Sequence, residues 1–436
     1  MVQAPDARGE FQDVGPLTHS TRLALINQNY QATYEADPTP SLSLQVSGHW
    51  FSGAPTAAEK LDVGRNDYTL VRSLGVDGYG FGAEGRWSSS PWLNLTFGLD
   101  MVAEHHLVQT FDQQLSLDVL LPDGSVLRSA GTLVPGPGHG ARRVFENEGA
   151  FLQGLLTFSQ DWSAVVGARV DRHNVYGVNP SARAGLVYAP AARPLSVKIL
   201  YGSSFKAPSA VQLYTQPINV RDLQGNPALR PQTAQTFELA GGWGLGERGE
   251  LSLNAFVTTV NGRVEFVQKG LYLQAQNIGA EWVVGGELDC RFMIARPLHL
   301  RISAGVARTV ARDTAVLLGA AQSENPLFPA VQLHALADYA VPVGGLRASV
   351  EVSYIGPRGA SQSNTLLKGE PYDLPAYVYA AASLSTSARK LFGERTTRAA
   401  LRVNNVFNQS WTEPGFGGID VPSQGLTVML TVVQSL

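Results

Sequence analysis

Long runs of strict two-residue alternation narrow the folds open to this chain more than any other feature. Between Pro297 and Arg308, Leu298, Leu300, Ile302, Ala304 and Val306 alternate with His299, Arg301, Ser303, Gly305 and Ala307. Between Gly345 and Gly356, Leu346, Ala348, Val350, Val352 and Tyr354 alternate with Arg347, Ser349, Glu351 and Ser353. Leu251, Leu253, Ala255 and Val257 oppose Glu250, Ser252 and Asn254, while Trp282, Val284, Leu288, Cys290 and Phe292 oppose Glu281, Glu287, Asp289 and Arg291. Successive side chains of an extended strand point to opposite faces, so each run makes a strand with one apolar and one polar face. No segment sustains a 3.6-residue period in the same way.

Soluble sandwiches and propellers also alternate. Three features favour a membrane barrel instead. The strands read as about 10–20 residues long, against the usual 5–6. Their polar faces carry full charges of both signs, which suits a wet or polar-filled interior. The connections also alternate in length. Short ones fall at Asp37-Pro38-Thr39, Ser89-Ser90-Pro91, Ala295-Arg296-Pro297 and Pro342-Val343-Gly344. Long ones fall near 54–66, 107–143, 205–231, 312–327, 357–373 and 409–423. Tight turns at one end and long loops at the other are expected of outer-membrane barrels. The pattern predicts an all-β, transmembrane antiparallel β-barrel of about 17 strands over residues 20–436, after an irregular segment 1–19. The first strand is expected near 20–34, the fourth near 92–107 and the last near 424–435. Asn261-Gly262 reads as a bulge inside a strand near 249–268.

Composition agrees. Charged residues make up 16% of the chain, against roughly 25% in soluble proteins. The net charge of −3, without a basic stripe, argues against a nucleic-acid partner. A single cysteine, Cys290, allows no internal disulfide. No run of 18 apolar residues marks a transmembrane helix. Met1 is followed by VQAPDARGE, which lacks the basic start and apolar core of an export signal. The motifs G-x-S-x-G, H-E-x-x-H and the P-loop are absent, so no enzyme is expected. The glycines of Gly78–Gly82 fall inside an alternating strand, where they mark twist or close backbone approach. Asp100 and His105 face opposite sides of a strand, as do the neighbours His105 and His106, so neither pair is set up to hold one ion. No metal site is assigned, and nothing calls for a resident cofactor.

Three segments carry a family resemblance. The first is SFKAPSAVQLYTQPINVRDLQGNPALRPQTAQTFELAGGW, Ser204 to Trp243. Within it, Asn-Pro and Arg-Pro stiffen the stretch Gly225–Pro231. The second runs from Gln276-Asn277-Ile278-Gly279-Ala280-Glu281 to Gly285-Gly286-Glu287-Leu288. The third is Arg402-Val403-Asn404-Asn405-Val406-Phe407-Asn408-Gln409-Ser410-Trp411. In order and type they resemble the "F-K-A-P … G-N-P-x-L-x-P-E", "N-x-x-x-A-x-x-x-G-x-E" and "N-L-F-N-x-x-Y" elements of the TonB-dependent outer-membrane receptors. Gln232 stands where the family usually has Glu, and Glu281 where it has Ala. The chain ends in Leu436, where such barrels commonly end in Phe or Trp.

The resemblance implies a place in the bacterial outer membrane. It also implies TonB-coupled import of a metal chelate, a ferric siderophore first and cobalamin next. The expected partners are outer-membrane lipid, the chelate, and the TonB energy-transducing complex, reached through a plug domain. No plug is recognised in this chain, which would supply barrel and extracellular loops. Plugged transporters have about 22 strands, so about five more are expected before Ser20. Residues 1–19 then read as the remnant of an extracellular loop, and Met1 as other than the biological start. A passive pore or structural barrel from a truncated receptor gene is the alternative.

Arg142 and Arg143, beside His139 in the longest loop, suit an anionic chelate, because guanidinium donates paired hydrogen bonds to carboxylates. Tyr214, Trp411 and Phe416 lie in outer loops. Aromatics there suit contact with a chelate or corrinoid, and equally suit loop packing. Lys198, Glu238, Glu250, Arg301, Arg347, Glu351, Arg398 and Arg402 fall on polar strand faces and, by the resemblance, would face a plug. A solvated strand face predicts the same pattern.

Overall fold

The computed structural model of the chain describes residues 3–5, 11–13, 22, 24–61, 67–217, 222–311, 328–342, 344–361, 364, 370–392, 395–415 and 420–434. Seventeen strands form one wall. They are β1 (Leu25–Thr39), β2 (Leu42–Pro55), β3 (Tyr68–Ser90), β4 (Leu93–Leu115), β5 (Arg142–Thr157) and β6 (Trp162–His173). Then come β7 (Gly177–Tyr188), β8 (Leu195–Lys206), β9 (Gln232–Gly244), β10 (Gly249–Lys269), β11 (Tyr272–Ala295) and β12 (Leu298–Ala311). The last five are β13 (Val331–Val341), β14 (Leu346–Ile355), β15 (Tyr377–Thr386), β16 (Arg395–Asn404) and β17 (Thr427–Gln434). Each pairs antiparallel with the next wall strand. The shorter pieces Leu133–Val134, Leu223–Gln224 and Arg389–Phe392 join the same sheet.

The register carries the alternation of the sequence across the wall. One polar row runs Lys198, Ala240, Asn254, Glu287, Gly305 and Gln332. One apolar row runs Leu251, Cys290 and Ile302 to Ala335. The apolar face is bounded by aromatic residues at both ends, as lipid-facing barrel surfaces are. Near the short turns stand Trp87, Trp92, Phe158, Trp162 and Trp243, all exposed, with the Trp162 ring 4.6 Å from that of Tyr188. Toward the long loops, Tyr30, Trp50 and Tyr79 lie side by side across β1 to β3.

Several expectations shift. The alternation puts the first strand near 20–34 with a turn at Asp37–Thr39, but β1 continues to Thr39 and turns at Pro40-Ser41. The register breaks between Ala36 and Thr39, so Pro38, which has no N–H to donate, is accommodated at an irregularity. The fourth strand runs to Leu115 rather than 107, paired with β3 as far as Tyr68. Its alternation ends early because the polar Thr110 and Asp112 are buried there beside Val108. Asn261-Gly262 is not a bulge. β10 passes through it with Asn261 opposite Ala280 and Arg263 opposite Ile278, and only Gly262 adopts a left-handed φ of 64°. The segment before the wall, read as irregular, contains a short antiparallel pair, Gln3–Pro5 with Phe11–Asp13. The predicted long connection at 312–327 lies outside the described residues.

No register among the described residues joins β17 to β1. Both strands are exposed along almost their whole length. Elsewhere the wall has few buried side chains among the described residues, and a compact apolar cluster sits at the long-loop end.

Candidate functional site: the barrel mouth

The segment between β8 and β9 is folded, and it explains the first signature residue by residue. Ser209 caps a short helix, α1 (Ala210–Tyr214), in a capping box with Gln212, which satisfies backbone donors at the helix start. Leu213 is fully buried and meets Leu229, Phe145 of β5, Val264 of β10 and Ala275 of β11. Gly225 passes so close to the helix that a Cβ there would lie 2.6–2.7 Å from backbone atoms of Leu213 and Tyr214. Only glycine permits that approach. Asn226 donates its side-chain N–H to the Ala275 carbonyl at 3.0 Å, and its backbone N–H to the Gln212 carbonyl at 2.9 Å. Its side-chain oxygen accepts from the Ala228 N–H at 3.0 Å.

The second signature meets the first here. Asn277 accepts from the Arg230 N–H at 2.8 Å and donates to the carbonyls of Arg230 (2.9 Å) and Gly262 (2.7 Å). Leu223–Gln224 lies parallel to Leu273–Gln274 of β11. The segment is thus pinned to the polar side of the wall. It does not project as a free loop.

Beside it lies a surface of rings and cations. The Arg143 guanidinium sits 4.8 Å above the Tyr214 ring. Phe145 contacts His106, His173, Tyr176 and Tyr214 at centroid distances of 4.9–6.4 Å. His173 and Tyr176 stack at 4.3 Å. The Tyr176 hydroxyl donates to the Pro208 carbonyl, and burial pushes its pKa up. His106 pairs with Glu104 at 2.9 Å, while His105 pairs with Asp77 at 3.2 Å on the opposite face. The two histidines therefore do not converge. No group of three metal-ligating side chains occurs among the described residues.

A second cluster ties down the last loops. Arg358 is buried, donating to Glu413 at 2.9 Å and to the Thr412 carbonyl at 2.6 Å. Tyr377 stacks on Trp411 at 4.4 Å and donates to Glu413 at 2.7 Å, and the Trp411 indole N–H donates to the same carboxylate at 3.0 Å.

Of the predicted ligand residues, Arg143 and Tyr214 come together. Arg142 points to the opposite face of β5. Trp411 belongs to the second cluster, and Phe416 lies outside the described residues. The charged wall residues share the polar face, and five of the eight are paired there with an opposite charge. Arg301 pairs with Asp289 (2.8 Å), Arg291 with Glu250 (2.8 Å), Arg402 with Glu351 (2.8 Å) and Arg347 with Asp338 (4.0 Å). Glu238 accepts from Asn254 at 3.5 Å. Lys198 and Arg398 have no ion-pair partner among the described residues. Lys198 borders a depression of about 720 Å³ in the wall, floored by small residues such as Ala240, Gly242 and Gly305.

Sequence reasoning missed Phe145, His173 and Tyr176 as mouth residues. Phe145 and His173 lie near strand ends and Tyr176 in the turn after β6, where period two says which face a side chain takes but not what folds over it.

Residues 4–406 match the TonB-dependent receptor-like β-barrel family. No curated protein is significantly similar to the chain. Among solved structures, the copper transporter OprC superposes with a TM-score of 0.71 at 14% identity, over 94% of this chain and 64% of its own. The ferric-catecholate import receptor Fiu from Escherichia coli K12 gives 0.65 at 14% identity, over 94% and 64%. The ferric yersiniabactin uptake receptor FyuA from Yersinia pestis gives 0.67 at 11%, over 94% and 61%. The chain therefore spans less than two thirds of the length of these receptors. Barrels of this kind are receptors of the bacterial outer membrane, not enzymes. The match across nearly the whole wall decides the family: this chain belongs to the TonB-dependent receptor-like β-barrels.

Proposed function

We propose that this chain forms the barrel wall and outer mouth of a TonB-coupled importer of a metal chelate, most simply a ferric siderophore. The observation that carries this is the family match over residues 4–406. Two features of the chain support it. Arg143, Tyr214 and the rings around Phe145 offer a cationic and aromatic surface at the mouth, chemistry that suits a planar anionic chelate. Below it, the polar row with Lys198 suits the wall of a filled lumen. The eight charged wall residues are assigned to face a plug contributed by a longer polypeptide, which would also carry the contact with TonB.

That no register among the described residues joins β17 to β1 fits the same reading. Both strands run toward the short turns, so an antiparallel closure needs an odd number of further strands.

The test is titration of the purified chain in detergent with ferric catecholate, ferric hydroxamate and cobalamin, read by tryptophan fluorescence. Saturable quenching by a ferric siderophore is expected, weakened roughly tenfold, or about 1.4 kcal/mol, in Arg143→Ala. No binding of any chelate, together with a large unselective conductance in planar bilayers, would favour the passive pore.

A further inference from the structure

The apolar face of the wall is uneven in one place. Across β2, β3 and β4 two rows are in register: Leu44, Gly85 and Phe97, then Val46, Ala83 and Leu99. Leu44 and Val46 form one ridge, and Phe97 and Leu99 another. The strand between them offers only Ala83 and Gly85. A Cβ on Gly85 would come within 2.5–2.6 Å of the Phe97 ring, which leans over it. The low ground continues past the second ridge to Ala150 and Ala168, opposite Leu99 and Leu152. The hollow has a volume of about 580 Å³, within the usual range for small-molecule sites, about 300–1,000 Å³. Its ridges stand two strand spacings apart, roughly 10 Å, which leaves room for an extended hydrocarbon chain.

One step toward the long loops, the same face changes character. Glu148 and Arg172 face each other across β5 and β6 at 3.5 Å, both well exposed. Further up are Glu146, the Asp77–His105 pair at 3.2 Å, and Arg142, whose guanidinium has no partner among the described residues. Charged side chains on the outside of a membrane barrel belong at headgroup level. An apolar hollow thus ends against a headgroup-level pair, Glu148 and Arg172, of which Arg172 is the cation.

We propose that this hollow is a binding site for one phosphorylated membrane lipid. An acyl chain lies over Ala83 and Ala150, and the phosphate is held by Arg172, one row above Ala150 in the register. The occupant follows from position, because the hollow is continuous with the lipid-facing band and opens onto nothing else. Arginine suits the headgroup because its fork of N–H donors matches a phosphate. Glu148 already orients Arg172, so a bound phosphate would take over part of that ion pair.

The test uses the full chain purified from membranes in mild detergent and washed extensively. Retained lipid is measured as organic phosphorus per chain and by native mass spectrometry. The wild type is expected to keep close to one phospholipid per chain. Ala83→Phe, which fills the hollow, is expected to lose it, and Arg172→Gln to reduce retention severalfold. Ala335→Phe, on the same lipid-facing side but far along the wall, is expected to retain it. Heat-modifiable gel mobility reports folding, and Ala150→Phe stands in if Ala83→Phe fails to fold. Equal retention by Ala83→Phe and Ala335→Phe, or none by folded wild type, overturns the site. Unchanged retention in Arg172→Gln overturns the assignment of the phosphate. Neither readout involves a metal chelate, so the result is independent of the import reading.

Discussion

The residues that make this chain look like its family hold backbone in place. Asn277 makes three hydrogen bonds that join Arg230 and the β10 strand to β11. Asn405 and Asn408 both adopt a φ of 49°, a left-handed conformation that asparagine tolerates better than most residues. Their side chains bond the Gln409 and Gln424 carbonyls and the N–H groups of Gln409 and Leu426. Replacing Asn277 with Ala should cost about 1–3 kcal/mol locally. Hydrogen exchange of residues 209–229 should quicken while β10 stays protected; unchanged exchange would show that the clasp is not needed. The signature was legible in the sequence, but its role was not, because Asn277 and Arg230 lie far apart in the chain and meet only after β10 and β11 pair. A second residue-scale prediction concerns Glu59, whose carboxylate is buried against Arg72 at 2.5 and 2.8 Å and accepts the Ala24 N–H. The bond from Arg72 holds its pKa below the ordinary 4.5. A depressed carboxylate stabilises the fold above that ordinary value and loses the contribution as pH falls through the folded pKa. Acid melting curves should therefore show a fall below about pH 4.5 that is smaller in Glu59→Gln. An identical fall in both would contradict the pairing.

Among the elements, strands were legible and loops were not. All seventeen wall strands follow from period two, because each has one face in lipid and one on a polar interior, and that contrast is what alternation records. The pattern fails where a face changes environment. Past Leu107, β4 buries Thr110 and Asp112, the latter accepting from the Gly136 N–H at 2.9 Å and paired with His139. The segment after β8 reads as a loop because a five-residue helix and a G-N-P turn leave no period to detect. Its stability comes from tertiary burial of Leu213. Trp411 shows the limit for the candidate site. An aromatic in an outer loop suits a ligand or a neighbouring ring equally, and the structure gives it Tyr377 and Glu413. The last loops should depend strongly on Arg358. Removing it in Arg358→Met leaves the Thr412 carbonyl without its Arg358 donor and Glu413 without its counter-charge, though Tyr377 and Trp411 still donate to it, at a cost on the order of 2 kcal/mol. Proteolysis near residues 357–373 and 409–423 should then accelerate without loss of the barrel's heat-modifiable mobility. No acceleration would mean that the buried cation is dispensable.

At the scale of the whole molecule, the wall is a sorting of residues between two solvents. Leu253, Val350 and their rows are exposed on the side bounded by aromatic girdles. Ser252, Gln332 and their rows lie on the side that carries the cross-strand ion pairs. That sorting, with the inward-folded mouth segment, is the physical basis for reading the chain as a receptor wall and not a soluble sheet. It is tested most directly by single-cysteine accessibility in membranes, on a Cys290→Ala background. Ser252→Cys and Gln332→Cys should react with a membrane-impermeant thiol reagent. Leu253→Cys and Val350→Cys should resist it and, once labelled with a fluorophore in detergent and reconstituted, be quenched by brominated lipid. Equal reaction at all four positions, with no lipid quenching, would contradict the account.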